Sequence, residues 1–273
     1  MAHRYSLAFL TVFDLGPVQA VRAAGAAGYD LIGLRMLPAA PGAEADYPLL
    51  TDDRVLAETE AALRDTGVGV ADIEIVRLKP DTDVAGFAPF FERGRRLGAR
   101  NVLVAGDDPE EARLADSLGR LARLAAGFGL TVDLEFMPWT RVPDLATALR
   151  IVEAAGEANG GVLIDALHFD RSATTLAEVA AMPRDRLNYV QFCDGPAVYD
   201  PSDAGLIEVA RRGRLMPGDG GIDLAGLARA IPGDAVISIE IPNVALAERV
   251  GGAERAALAL RATRAVVEGV DVA

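Results

Sequence analysis

Four polar residues sit where apolar runs end or are interrupted. Glu135 closes Val132-Asp133-Leu134-Glu135, Asp165 closes Gly161-Val162-Leu163-Ile164-Asp165, and Glu240 closes Val236-Ile237-Ser238-Ile239-Glu240. Gln191 lies inside Asn188-Tyr189-Val190-Gln191-Phe192. An unpaired carboxylate in an apolar strand is costly to bury. Three carboxylates and a carboxamide oxygen on four consecutive apolar runs therefore point to a shared cation. An all-oxygen set suits Mg²⁺ or Mn²⁺, with Co²⁺ also suited. The plainer reading is four unrelated residues that cap strand ends or pair with arginines. His168, three residues beyond Asp165, reads as a substrate-facing imidazole that donates a hydrogen bond or shuttles a proton. Its plainer reading is a histidine satisfied by a loop carbonyl.

Such residues meet only if the elements beneath them converge. Short runs rich in Val, Ile and Leu fall at residues 5–10, 31–36, 68–78, 101–105, 131–137, 161–167, 187–194 and 235–241. This is the pattern of strands buried on both faces. Amphipathic stretches at 17–27, 52–66, 84–97, 109–128, 143–155 and 252–267 read as helices. Glycines at Gly28, Gly67, Gly98 and Gly127-Phe128-Gly129 stand where a helix stops and a strand begins. Eight strand-then-helix units without a linker predict α/β architecture, a single (β/α)8 barrel spanning 1–273. Two doubly wound sheets are the alternative. In a barrel the functional residues gather where the strands end and the following loops begin, and neighbouring strands run about 4.8 Å apart.

Composition narrows the chemistry. The 273 residues carry 27 basic and 40 acidic side chains, a formal charge of −13, which argues against nucleic acid as a partner. Lys79 is the one lysine, His3 and His168 the two histidines, and Cys193 the one cysteine. Neither an internal disulfide nor a cysteine-based zinc cluster is available. A Schiff-base mechanism would have to use Lys79, which has no visible activating partner. Cys193 reads as an inert buried residue, and His3 as an exposed terminal one. No apolar run approaches a membrane span, and the run at 5–13 reads as a first strand rather than a signal segment. The expectation is a cytoplasmic protein with no membrane partner, compatible with a homo-oligomer.

Other strand ends offer substrate contacts. Arg35 ends the second run, and Asp72, Glu74 and Arg77 occupy the third. These charges either recognise a polar substrate or form a structural ion pair. Trp139 either walls the pocket or covers the rim. After the seventh run comes Arg211-Arg212-Gly213-Arg214-Leu215-Met216-Pro217-Gly218-Asp219-Gly220-Gly221. Loops there often hold anions, and arginine forks suit carboxylate or phosphate. Arg211 and Arg212 fit a solvated helix end equally well.

Leu134-Glu135-Phe136-Met137-Pro138-Trp139, Ile164-Asp165-Ala166-Leu167-His168, Val190-Gln191-Phe192-Cys193-Asp194, Arg214-Leu215-Met216-Pro217-Gly218-Asp219-Gly220 and Ser238-Ile239-Glu240 resemble the xylose isomerase-like TIM-barrel superfamily. The resemblance runs from Tyr5 to about Val267. It takes in sugar phosphate isomerases and epimerases, ketose 3-epimerases, inosose and 3-dehydroshikimate dehydratases, and endonuclease IV. It implies that Glu135, Asp165, Gln191 and Glu240 hold one divalent metal ion. Many epimerases have histidine at the third position; Gln191 resembles the subset that includes 3-dehydroshikimate dehydratases. An amide oxygen there also disfavours zinc, and a single histidine in the body of the chain is too few for the nuclease metal cluster. By resemblance to ketose epimerases, Glu135 and Glu240 double as the acid/base pair, while Arg214 and His168 position a small polyhydroxylated substrate. The expected activity is a metal-dependent isomerase or epimerase acting through an enediolate on a sugar, sugar phosphate or related hydroxyketone. The alternatives are a dehydratase using the same enolate and a barrel that binds a sugar without turnover.

Overall fold

A computed structural model describes residues 3–39 and 47–271. Eight parallel strands close into a barrel in chain order. They are β1 (Arg4–Leu7), β2 (Leu31–Arg35), β3 (Gly69–Leu78), β4 (Asn101–Gly106), β5 (Thr131–Glu135), β6 (Gly160–Asp165), β7 (Tyr189–Phe192) and β8 (Val236–Ile239). β8 pairs back onto β1 with Ser6 beside Ser238, so no edge is left open. Parallel neighbours need long crossovers, and helices such as Pro17–Ala27, Glu111–Ala126 and Leu145–Ala155 supply them on the outside. Among the described residues no helix is long and apolar enough to cross a membrane.

Two apolar layers hold the frame. The larger lies between strands and helices, where outward strand residues such as Ile32, Val102 and Val132 meet Leu56, Leu118 and Ile151. The smaller fills the barrel with Ile75, Leu103, Ala105, Met137, Leu163 and Tyr189. This inner plug is the floor on which the polar residues stand.

The departures from expectation are local. The first strand stops at Leu7, and Phe9–Val12 forms a 3-10 turn instead. Its Thr11 hydroxyl donates to the Ile239 carbonyl (2.7 Å) and accepts from the Ile241 N–H (2.8 Å), pinning the backbone on both sides of Glu240. The stretch at 84–97 divides into a 3-10 turn, Val84–Phe87, and a helix, Ala88–Leu97. Gly28, Gly67 and Gly98 do close helices, but in the last pair the left-handed residue is Gly129 (φ 75°), while Gly127 stays right-handed (φ −62°). His3 is only half exposed, its Nδ1 3.0 Å from the Ala235 carbonyl oxygen. Short helices at Ala166–Arg171, Leu176–Ala181, Asp203–Arg212 and Leu224–Ala230 have no counterpart in the periodicity reading. Most span barely two turns, too few to establish a 3.6-residue period.

Candidate functional site

The ends of β5 to β8 deliver the four polar residues to one side of the barrel. Glu135 is the last residue of β5 and Asp165 the last of β6; Gln191 sits in β7 and Glu240 directly follows β8. Register brings neighbours level: Asp165 pairs with Gln191, and Gln191 with Ser238. All four are buried.

Asp165 is fixed by its local sequence. It is the N-cap of Ala166–Arg171, and its Oδ1 accepts from the N–H groups of Leu167 (2.9 Å) and His168 (3.1 Å). That cap aims His168 back over the strand ends. One ligand-capable atom each from Glu135, Asp165 and His168 lies within 4.8 Å of the others. His168 Nε2 stands 3.5 Å from Glu135 Oε1, and the Trp139 ring meets the imidazole edge-on at 5.0 Å. Burial pushes His168 down to about 4, so the imidazole is neutral at neutral pH.

Gln191 and Glu240 join this cluster through hydrogen bonds. Gln191 Nε2 donates to Glu240 Oε1 (2.9 Å). Arg214 connects the two ends: its Nη1 lies 2.5 Å from Asp165 Oδ2, and its Nη2 lies 3.1 Å from Glu240 Oε2. The arginine is 2% exposed. Its Nε donates to the Ala210 carbonyl, and its own backbone is held by Pro242 and by the Asn243 amide. The expected substrate-binding arginine is thus engaged with two of the expected metal ligands.

When ionised, the three carboxylates face one guanidinium, which leaves two negative charges uncompensated. Burial, reinforced by Asp165 and Glu240, pushes Glu135 well above the usual carboxylate range. Burial raises Glu240 to about 7, with Arg214 opposing and Glu74 and Asp165 adding to the rise. Asp165 moves the other way: burial raises it, but Arg214, His168 and its hydrogen bonds together outweigh burial and hold it low. Gln191 Oε1 and His168 Nδ1 are buried without a hydrogen-bond partner among the described residues. An excess of negative charge beside an orphaned amide oxygen and an unpartnered imidazole nitrogen fits a divalent cation.

A cavity of about 240 Å³ opens over the cluster. Glu135, His168, Arg214, Glu240, Arg35, Glu74, Arg77 and Trp139 all line it; Asp165 and Gln191 lie beneath the surface. Arg35 and Glu74 take the ion-pair alternative (2.8 Å, both buried) while still facing the cavity. Arg77 is engaged bidentately by Asp107 (2.6 and 2.9 Å). Arg212 pairs with Glu208 on its own helix, whereas Arg211 lines the cavity. Cys193 is fully buried and burial raises its thiol to about 12, which removes it as a nucleophile. Lys79 is exposed at the end of β3.

One organising residue escaped the sequence reading. The Asp194 carboxylate accepts from the N–H groups of Gly195, Gly218, Gly220 and Ile222 at 2.8–3.1 Å. It ties the glycine-rich loop to the end of β7. An aspartate two residues beyond a strand and directly before glycine is the available signal.

Several known proteins share this architecture. A 3-dehydroshikimate dehydratase of Pseudomonas aeruginosa is 31% identical over 162 residues, covering 56% of this chain. The match spans 25% of that longer protein. The IOLI protein, solved with a bound zinc atom, superposes with a TM-score of 0.82 at 18% identity, covering 98% of this chain and 99% of that one. D-allulose 3-epimerase from Methylomonas sp. in complex with D-allulose gives a TM-score of 0.68 at 19% identity, covering 95% and 96%. The family model described as the xylose isomerase-like TIM barrel matches residues 21–263, and the chain belongs to that family.

Proposed function

We propose that the protein is a divalent-metal-dependent enzyme that removes a proton next to a carbonyl in a small polyhydroxylated molecule and returns it, as an isomerase or epimerase. The carrying observation is the buried excess of carboxylate at Glu135, Asp165 and Glu240, with Gln191 Oε1 and His168 Nδ1 unpartnered beside it. The holding set is Glu135, Asp165, Gln191 and Glu240, with His168 adjacent. A bound ion would polarise the substrate carbonyl and stabilise enediolate charge. Mg²⁺ or Mn²⁺ suits the oxygen-rich set; the imidazole beside it, and the zinc of the IOLI relative, make Zn²⁺ the ion to compare.

The remaining work falls to the chain. Glu135 and Glu240, separated by β6 and β7 around the mouth, serve as proton acceptor and donor on two sides of the substrate. Neutral His168 donates to a substrate oxygen, and Arg214 steadies the developing negative charge. Trp139 and Met137 exclude water from one wall. The D-allulose bound by the epimerase relative supports a sugar-like substrate.

Incubation of the metal-loaded protein with a panel of ketoses and ketose phosphates in heavy water tests the reading. Deuterium enters the carbon next to the carbonyl and an isomer accumulates; a panel with neither result defeats it. A second reading, loss of a β-hydroxyl from the same enolate, is favoured by the 31% identity to a 3-dehydroshikimate dehydratase and by Gln191. Rising absorbance of a conjugated product from 3-dehydroshikimate selects it, and isomerised sugar without loss of water rejects it.

A further inference from the structure

A second, larger cavity of about 570 Å³ lies beside the first, and Arg77, Trp139 and Arg211 line both. Arg141, Asp107 and Asp203 join them around the outer chamber. Its charges differ from those of the inner site. Asp107 is committed to Arg77 through two hydrogen bonds. Arg141 follows β5 and Arg211 lies in the last turn of the helix Asp203–Arg212; both are exposed. Among the described residues neither guanidinium has a hydrogen bond or an ion pair. Only the exposed Asp203 offsets them, so three arginines and two aspartates give the chamber a net positive charge on a chain of −13. Five N–H donors in a planar fork match carboxylate and phosphate oxygens two at a time.

We propose that Arg141 and Arg211 form an anion subsite, and that the substrate carries a carboxylate or phosphate group there while its hydroxyls and carbonyl enter the inner cavity. This rests on the reading of the inner cavity given above. The two chambers offer the ends of one molecule different partners. The outer one holds free guanidinium groups, which attract an anion, whereas in the inner one a bound dication would balance the surplus carboxylate and leave no free cation to compete for the anionic end. A neutral hexose would leave both arginines without partners, so the subsite selects acidic over neutral polyols.

Binding of unreactive probes separates this from the catalytic reading. Xylitol, xylonate, xylitol 5-phosphate and inorganic phosphate are titrated calorimetrically into the Mg²⁺-loaded protein and into the Arg141→Gln/Arg211→Gln variant. Both positions are exposed, so the variant folds, and circular dichroism verifies it. At least one acidic polyol is expected to bind about tenfold tighter than xylitol. The advantage should shrink to within about twofold in the variant and weaken with added salt. A gain confined to xylitol 5-phosphate assigns a phosphate ester, and one confined to xylonate assigns a carboxylic acid. Equal affinities for neutral and acidic polyols, a preference that survives in the variant, or no binding of any probe overturns the subsite. Loss of xylitol binding alone, with arginine-dependent phosphate binding retained, counts against the polyol reading and leaves the subsite standing.

Discussion

Arg214 is the only cation hydrogen-bonded to the candidate metal ligands among the described residues, and Arg214→Met isolates what it does there. The substitution keeps an unbranched apolar stem but removes the contacts to Asp165 (2.5 Å) and Glu240 (3.1 Å). The ionised cluster then goes from two uncompensated negative charges to three. Removing one partner of a buried ion pair costs about 3–5 kcal/mol, which for a chain of this size lowers Tm by about 6–20 °C. The cost depends on pH. Burial raises Glu240 to about 7 against 4.5 for the free group, so the folded state holds its proton more tightly than the unfolded state does. The stability linked to that proton is complete below about pH 4.5 and is lost as pH rises through 7. Arg214 opposes that rise, so the variant's deficit is larger at pH 8 than at pH 5. Differential scanning calorimetry in chelator at the two pH values measures it, and a further scan with excess Mn²⁺ asks whether a dication replaces the lost charge. Recovery of most of the deficit is expected. A deficit equal at both pH values and unchanged by Mn²⁺ would show that Arg214 contributes packing rather than charge.

Three other perturbations have definite expected outcomes. Glu135→Gln weakens divalent-ion binding in calorimetry by about 100-fold and abolishes deuterium uptake into substrate, while the metal-free variant at pH 8 melts no lower than wild type, because a neutral side chain replaces a carboxylate that is costly to ionise. Asp194→Ala leaves four backbone N–H groups without their acceptor; a loss of about 2–4 kcal/mol and faster amide exchange confined to the neighbourhood of residues 195 and 218–222 are expected, with Asp194→Asn intermediate. Asp133, inside the barrel and hydrogen-bonded to Asn188 and Thr131, is pushed up to about 6 by burial. Wild type therefore loses about 2 kcal/mol of stability from this group between pH 4 and pH 7, and urea titrations of Asp133→Asn over that range should show a shallower decline.

What the sequence revealed depended on how far each signal reached along the chain. Strands of Val, Ile and Leu bounded by glycine, and caps such as Gly28 and Gly67, are local patterns, and they located all eight strands to within a few residues. Glu135, Asp165, Gln191 and Glu240 were conspicuous because each contradicts the apolar run that carries it. Partnerships across the barrel were not legible. The engagement of Arg77 by Asp107 and of Arg214 by Asp165 joins residues on different units, and nothing local marks either member as taken. Arg35 and Glu74 left two readings open for the same reason, and the fold answers that they both pair and face the cavity. The turn Phe9–Val12 was missed because its apolar residues match a strand as well as a 3-10 turn, and only the exit of β8 distinguishes them.

The two oxygens of Asp165 have separate duties. One caps the helix that begins at Ala166, and the other faces Arg214 in the cluster. A carboxylate held in this way is already ordered, so the proposed ion would bind it with little ordering penalty. The arrangement also couples inheritance to architecture. A substitution at this position disturbs the turn that presents His168 as well as the cluster itself, so two parts of the site are lost in one step. Drift toward a barrel that has lost its chemistry but kept its shape is therefore easier through Glu135 or Glu240 than through Asp165. In a set of descendants that no longer turn over substrate, Asp165 should be the last of the acidic residues to change.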